Sequence, residues 1–443
     1  MINSNTSNNI TSSIDSLKLK QPICKTDSND CAEQLIILGN GFDLACGLKS
    51  SYSDFFKYIL ASKNSTNYWY NIFQSIQHNE NNNPSNWTDI ESRILIELQN
   101  IEFLYSNSIF EEEKFPQEYD ILKEEISAKL NFYTHKPHLD LKSIFRTARI
   151  LLGRSQHIIP SITYAKKYLK DDLLQLESDF KTFLEEQIEY ENTIKNSLFK
   201  TTSKEDSTFS NYFIKSSCLL SYIIRPVLSN EFAQLFEVIN KIPQMNSFDQ
   251  LLSELGDMGY FYNNQSNEII QNNILSFNYT QPVENTKIRN VHGSLISDNI
   301  IFGIDYDKLI GHFIQPPVKF SKSYRILENT NNSTLSITSK IDTIKFYGHG
   351  LGSADYSYFQ AIFDTVDLYH SNTNLVFYWS AYNKDQKDVI RKDYIMRVVN
   401  LIEEYGKTFT NKDHGRNLLT KLQIENRLHI EEIPIDLLFN SLN

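Results

Sequence analysis

The chain has 443 residues, ample for two or three domains with sizeable cores. Its composition is globular, 40% hydrophobic and 22% charged with 28 Phe and 25 Tyr, and a formal net charge of -11 argues against broad contact with nucleic-acid phosphates or an anionic membrane surface. No apolar run approaches the ~20 residues needed to cross a bilayer. The start, Met1-Ile-Asn-Ser-Asn-Thr-Ser, lacks the basic segment and apolar core of a signal peptide. The cysteines Cys24, Cys31, Cys46 and Cys218 form no Cys-x-x-Cys pair. The expectation is a cytoplasmic protein with reduced thiols and no zinc module.

Residues 1–32, rich in Asn, Ser and Thr, read as a disordered tail. Leu35-Ile-Ile-Leu38 then reads as a buried strand that runs into Gly39-Asn-Gly-Phe-Asp43 and a helix start. Glycines at 39 and 41 let a ligand approach without meeting a Cβ. The amides beyond the turn, at the positive end of a helix dipole, suit a phosphate. Ser51-Tyr-Ser-Asp54 offers a capping box for a helix over 52–62.

From 64 to 269 helical periodicity replaces strand signals. Asn79 to Asn83 is a polar linker, and Trp87-Thr-Asp-Ile-Glu91 opens a helix carrying Ile94, Leu95, Leu98 and Ile101 on one side. The clearest helix spans about 162–199, with Leu169, Leu173, Leu176, Phe180, Phe183 and Gln187/Ile188 in one stripe. That stripe reads as the seam of a packed bundle, with a partner-binding coiled coil as the alternative. More helix follows at about 211–241, with a break expected at Pro226.

Strand chemistry returns at 273–277, 287–291, 300–304, 343–347 and 374–379, with a helix over 355–366 before the last of these. Helices near 384–405 and 415–426 and a short Leu428-His-Ile-Glu431 segment close the chain. Strands alternating with helices predict an α/β, Rossmann-like parallel-sheet domain. It would span 33–63 plus 270–383, be split by an all-helical insertion at 64–269, and carry a C-terminal helical extension at 384–443.

Open parallel sheets bind ligands beyond the carboxyl ends of their strands. Those ends are Gly39-Asn-Gly-Phe-Asp43, Ser276-Phe-Asn-Tyr-Thr280, Val291-His-Gly-Ser294 and Tyr347-Gly-His-Gly-Leu-Gly352. Each has a structural explanation by itself: Asn278 as a helix cap, His292 as a turn histidine, His349 as part of a glycine-rich loop. Together at one sheet edge they read as a site.

In this order, Gly39-Asn-Gly-Phe-Asp-Leu44, Gly47-Leu-Lys-Ser-Ser-Tyr-Ser-Asp-Phe55, Trp87-Thr-Asp-Ile-Glu91, Phe277-Asn-Tyr-Thr280, Val291-His-Gly293, Phe302-Gly-Ile-Asp305 and Tyr347-Gly-His-Gly-Leu-Gly-Ser-Ala-Asp355 resemble the bacteriophage abortive-infection AbiH family. The likeness runs from about 34 to 380, with Gly350 standing where such proteins often carry Ser. That pattern in turn is similar to the sirtuin-like domain, in which a Gly-Ala-Gly turn, an Asn ending a strand, a His-Gly and a late Gly-x-Ser surround NAD. The resemblance implies Gly39, Asn40, Gly41 and Asp43 at the glycine turn, Asn278 and His292 as catalytic residues, Thr280 in place of the following Asp, and Gly348 along the ribose side, with His349 a further cofactor-binding candidate.

Cleavage of the nicotinamide–ribose bond passes through an oxocarbenium-like state with a leaving group that needs no proton. Asn278 would orient the water and the ribose hydroxyls, and His292 would take the proton. Asp43, Asp305 and Asp355 are candidates to hold ribose hydroxyls, with capping or turn formation as the structural alternative. NAD is therefore the expected substrate or ligand, with no metal. The family resemblance implies an anti-phage effector with a phage-derived trigger, self-associating through the helical insertion. Two other readings are a nucleotide sensor that binds without cleaving, and a metal-dependent nuclease or phosphohydrolase using His292, His349, Asp305 and Asp355.

Overall fold

The computed structural model describes residues 33–62, 66–79, 90–110, 119–131, 139–154, 161–188, 207–224, 271–281, 288–310, 313, 315–328, 337–352 and 355–439. The tail at 1–32, residues 80–83 of the polar linker, the Trp87–Asp89 helix opening and the break at Pro226 lie outside them, while Asn79 ends the helix Tyr68–Asn79. By contacts the chain divides into two compact units, one of 1–49, 187–291 and 333–443, the other of 50–186 and 292–332.

The first unit is built on six parallel strands: β1 (Glu33–Leu38), β2 (Gln271–Ser276), β3 (Ile288–Asn290), β4 (Ile341–Tyr347), β5 (Asn374–Trp379) and β6 (Leu428–Glu432). Their order across the sheet is β3-β2-β1-β4-β5-β6. Every pairing is parallel, so all carboxyl ends lie along one edge. This is a doubly wound α/β sheet, and the β1/β4 junction is its topological switch point.

Side chains alternate between the two faces. Leu35, Ile37, Ile344, Phe346, Leu375 and Phe377 share one core with Phe359, Phe363, Val398, Leu401, Ile402, Leu418 and Leu422. Those partners come from the helices Tyr356–Thr365, Lys387–Lys407 and Lys412–Ile424. On the other face Tyr378 meets Tyr222 of the helix Ser207–Ile224, ring centroids 6.4 Å apart. Buried Lys345 donates to the final carbonyls of that helix, Ile223 O at 2.8 Å and Ile224 O at 3.1 Å, and Gln34 also donates to Ile224 O. A cation at a helix C-terminus satisfies orphan carbonyls and complements the dipole.

Two expectations change here. The segment 300–304 is not a strand, since only Ile304 forms an isolated bridge, to Ser321. The segment expected as a helical extension also supplies β6, paired along β5 from Leu375↔Leu428 to Trp379↔Glu432. Helix extents otherwise follow the periodicity closely, as at Tyr52–Ser62 and Ile162–Ile188; residues 189–199 lie outside the described ones.

The second unit is helical. Leu169, Leu173, Leu176, Phe180 and Phe183 are all buried. Phe180 packs on Phe55 at 4.9 Å and on Phe302 at 5.4 Å between centroids. The capping box forms as the spacing predicts: Ser51 Oγ accepts from the Asp54 amide at 3.1 Å and donates to the Asp54 carboxylate at 2.6 Å. Among the described residues no helix is long and apolar enough to cross a membrane.

Candidate functional site

At the switch point the two glycine-bearing loops bind each other. The Gly39 amide donates to Tyr347 O at 3.0 Å and the Gly41 amide to Gly348 O at 2.8 Å. A Cβ on Gly39 would stand 2.4 Å from His349 Cα, and one on Gly348, which has φ +71, would stand 2.3 Å from the Phe42 nitrogen. The absence of side chains here lets backbone meet backbone. The expected phosphate cradle takes another form. The Gly41 and Phe42 amides are engaged with Gly348 O and Gly39 O, and the helix they open is only Gly41–Ala45, with Asn40 as its N-cap.

Beside this junction, past the ends of β1 and β2, three of the expected site residues converge. Asp43 is 1% exposed. Thr280 Oγ1 donates to its Oδ2 at 2.7 Å, and the Tyr212 hydroxyl donates to its Oδ1 at 2.9 Å. The side chain of Asn278 stands near enough to favour the ionised carboxylate as well. Burial pushes the Asp43 pKa up to about 6, against the three donors that favour the ionised form. Asn278 is itself 4% exposed, and its Oδ1 has no hydrogen-bond partner. The turn is fixed from β3, where Asn290 Nδ2 donates to Asn278 O at 2.7 Å and Thr280 O at 2.9 Å.

His349 and Asp355 form a second pair. His349 Nδ1 accepts from the Leu351 amide at 2.9 Å, and Nε2 lies 3.3 Å from Asp355 Oδ2. The accepting Nδ1 places the proton on Nε2, so both ring nitrogens are engaged. The ring also meets Phe277 at 4.6 Å and Phe359 at 5.0 Å between centroids. These contacts fasten the β4 loop to the following helix.

His292 and Asp305 belong to the second unit. The His292 carbonyl accepts from the Ile301 amide at 2.9 Å, and Asp305 precedes the short turn Tyr306–Leu309. The Phe302-Gly-Ile-Asp305 motif is clamped there. Phe302 N donates to Glu177 Oε1 at 2.5 Å, and Arg325 Nη1 donates to Phe302 O at 2.8 Å. Glu177 and Arg325 are themselves a buried pair, Nη2 to Oε2 2.8 Å. Glu91, from the Trp87–Glu91 motif, pairs with buried Lys322 at 2.6 Å.

Two residues of the first network escaped the sequence reading. Asn290 stands just before Val291-His292-Gly293, where an Asn at a strand end was a usable signal. Tyr212 carried none, being one tyrosine among 25 in a helical stretch. Among the described residues no group of three or more His, Cys, Asp or Glu could hold a metal. Cys46 and Cys218 are buried free thiols, and burial pushes the pKa of both up, Cys218 to about 12. They are poor nucleophiles.

A model of the family described as Bacteriophage abortive infection AbiH matches residues 35–379, from within β1 to the last residue of β5. No curated protein and no solved structure matches the chain.

Proposed function

This chain belongs to the bacteriophage abortive infection AbiH family, and from that premise we propose an effector that hydrolyses the nicotinamide–ribose bond of NAD at the carboxyl edge of the sheet, in the manner of a sirtuin-like domain. The observation that carries the reading is Asn278. Its Oδ1 is a buried acceptor without a donor, past the end of β2. An unmet buried acceptor costs about 1–3 kcal/mol. A ribose hydroxyl or an attacking water would satisfy it.

In the proposed reaction the bond between C1′ and the pyridinium nitrogen breaks, and its electron pair neutralises the ring. The water oxygen bonds to C1′, giving ADP-ribose, nicotinamide and one proton. The Asn278 carbonyl accepts from the water and aims its lone pair at C1′. The proton leaves to solvent, and the role of base that the family resemblance implies for His292 is tested by its own substitution.

A second reading, nucleotide binding without cleavage, draws support from His349, an imidazole at this edge with both nitrogens engaged. Purified protein incubated with NAD and followed by mass spectrometry separates the two. Cleavage predicts nicotinamide release that falls at least about 100-fold in Asn278→Ala and in His292→Ala. Undiminished release in both variants overturns the residue assignment. Intact NAD that raises the unfolding temperature supports binding alone.

A further inference from the structure

We propose that the outer edge of β6 is the surface on which two copies of this chain associate, β6 lying antiparallel to β6 of the second copy across a two-fold axis through Ile430. It is independent of the nucleotide reading above.

Alternate residues of a strand direct both main-chain groups to the same neighbour. On β6 the residues turned toward β5 are Arg427, His429, Glu431 and Ile433, since Leu375 N donates to Arg427 O at 2.7 Å and Ile433 N to Trp379 O at 2.8 Å. The N–H and C=O groups of Leu428, Ile430 and Glu432 therefore point away from the sheet, and no described residue bonds to them. The opposite edge strand, β3, is blunted by its length, Ile288–Asn290 alone. β6 keeps register with β5 along its whole length, without bulge, proline or lysine, and none of its residues is fully buried. An edge of this kind is a template for a further strand.

The occupant that fits is a second copy. An antiparallel pairing joins outward residues to outward residues, and an axis at Ile430 gives the longest ladder. Leu428 then stands opposite Glu432 of the second copy and Ile430 opposite itself, each opposed pair exchanging two main-chain hydrogen bonds. The same axis sets His429 opposite Glu431 of the second copy. An axis at Glu431 would oppose two like carboxylates, which is unfavourable. Glu432 is already paired with Lys387 at 2.8 Å in its own chain, so it brings no lone charge to the contact. Leu428 and Ile430, both partly buried, pack at the margin of the core that includes Leu418 and Leu422 of the helix Lys412–Ile424. Ile424, at the end of that helix, is 80% exposed. Strand pairing carries this apolar margin across the axis, and a two-fold contact closes on itself without further growth.

Sedimentation equilibrium of the full chain tests the proposal. The natural chain is expected at twice its own mass at about 50 μM. Ile430→Pro removes an outward N–H that the β5 ladder does not use, so the fold should persist with an unchanged circular dichroism spectrum. The dissociation constant should rise at least about 100-fold. A single-chain mass in the natural protein at every concentration up to about 100 μM overturns the proposal. A double mass that survives Ile430→Pro also overturns it, because the contact then lies elsewhere. If Ile430→Pro fails to fold, cross-linking decides. On the axis, Ile430→Cys sets two Cα atoms about 5.5 Å apart, within disulfide reach, and oxygen with a copper catalyst should join two chains. Glu432→Cys, set far from its own copy, and the natural chain are the controls. Linking of Ile430→Cys no greater than in those controls overturns the proposal.

Discussion

At the scale of single residues, Asp43 and Gly348 illustrate two kinds of necessity. Folding carries the Asp43 carboxyl from its ordinary 3.8 to about 6. The native chain therefore holds a proton there that the unfolded chain releases, and stability falls as pH rises from about 4 to about 6, by roughly 3 kcal/mol in all. Asp43→Asn removes that slope, so urea titrations at pH 4.5 and 7 should differ less in the variant than in the natural chain, once other groups are matched. A protein keeps such an uneconomical carboxylate where its charge has a use. Gly348 is required by geometry instead. With φ +71 and the Phe42 nitrogen 2.3 Å from where a Cβ would stand, Gly348→Ala should cost about 2–4 kcal/mol, read as a lower urea midpoint. Gly47, where a Cβ would meet nothing but φ is +92, should cost less on the same measurement.

At the scale of elements, what terminates a strand or helix decides what it can present. The β1 and β4 loops were legible as glycine-rich strand ends, yet their glycines answer to each other before any ligand, because Gly41 N meets Gly348 O. A sequence displays that a backbone must come close to something; it does not say to what. The same limit explains 300–304. Ile300, Ile301, Phe302 and Ile304 are buried as a strand's residues would be, but the Phe302 backbone is held by Glu177 and Arg325 in place of a ladder. An apolar run fixes burial and leaves the backbone partner open. For the helix Ser207–Ile224 the anchor is Lys345, and Lys345→Met should leave Ile223 O without this donor and Ile224 O with Gln34 alone, lowering stability by about 1–3 kcal/mol in denaturant unfolding. A loss of the same size in Gln34→Leu would show that the two donors act as one cap.

At the scale of the whole molecule, the family assignment makes a prediction in living cells. Expression of the chain should lower the yield of a susceptible phage, and Asn278→Ala should restore the yield if ligand chemistry is the effector step. Protection that survives the substitution would point to an effector that does not use this residue. The parallel α/β sheet was legible because apolar β-branched and aromatic runs such as Leu35–Leu38 and Asn374–Trp379 alternate with helical periodicity. The sixth strand was harder to read, since Leu428–Glu432 alternates polar and apolar residues and joins only at the sheet's edge. By itself the sequence determined the strand ends, the stripe of the Ile162–Ile188 helix, the Ser51–Asp54 cap and the family, because these depend on neighbours within a few positions or on a shared order of motifs. Only the tertiary structure decided that Asp43, Tyr212, Asn278 and Thr280 form one buried network, and that His349 is tied to Asp355. Those contacts join residues as far as 237 positions apart, and a hydrogen bond across such a distance leaves no local periodicity to read.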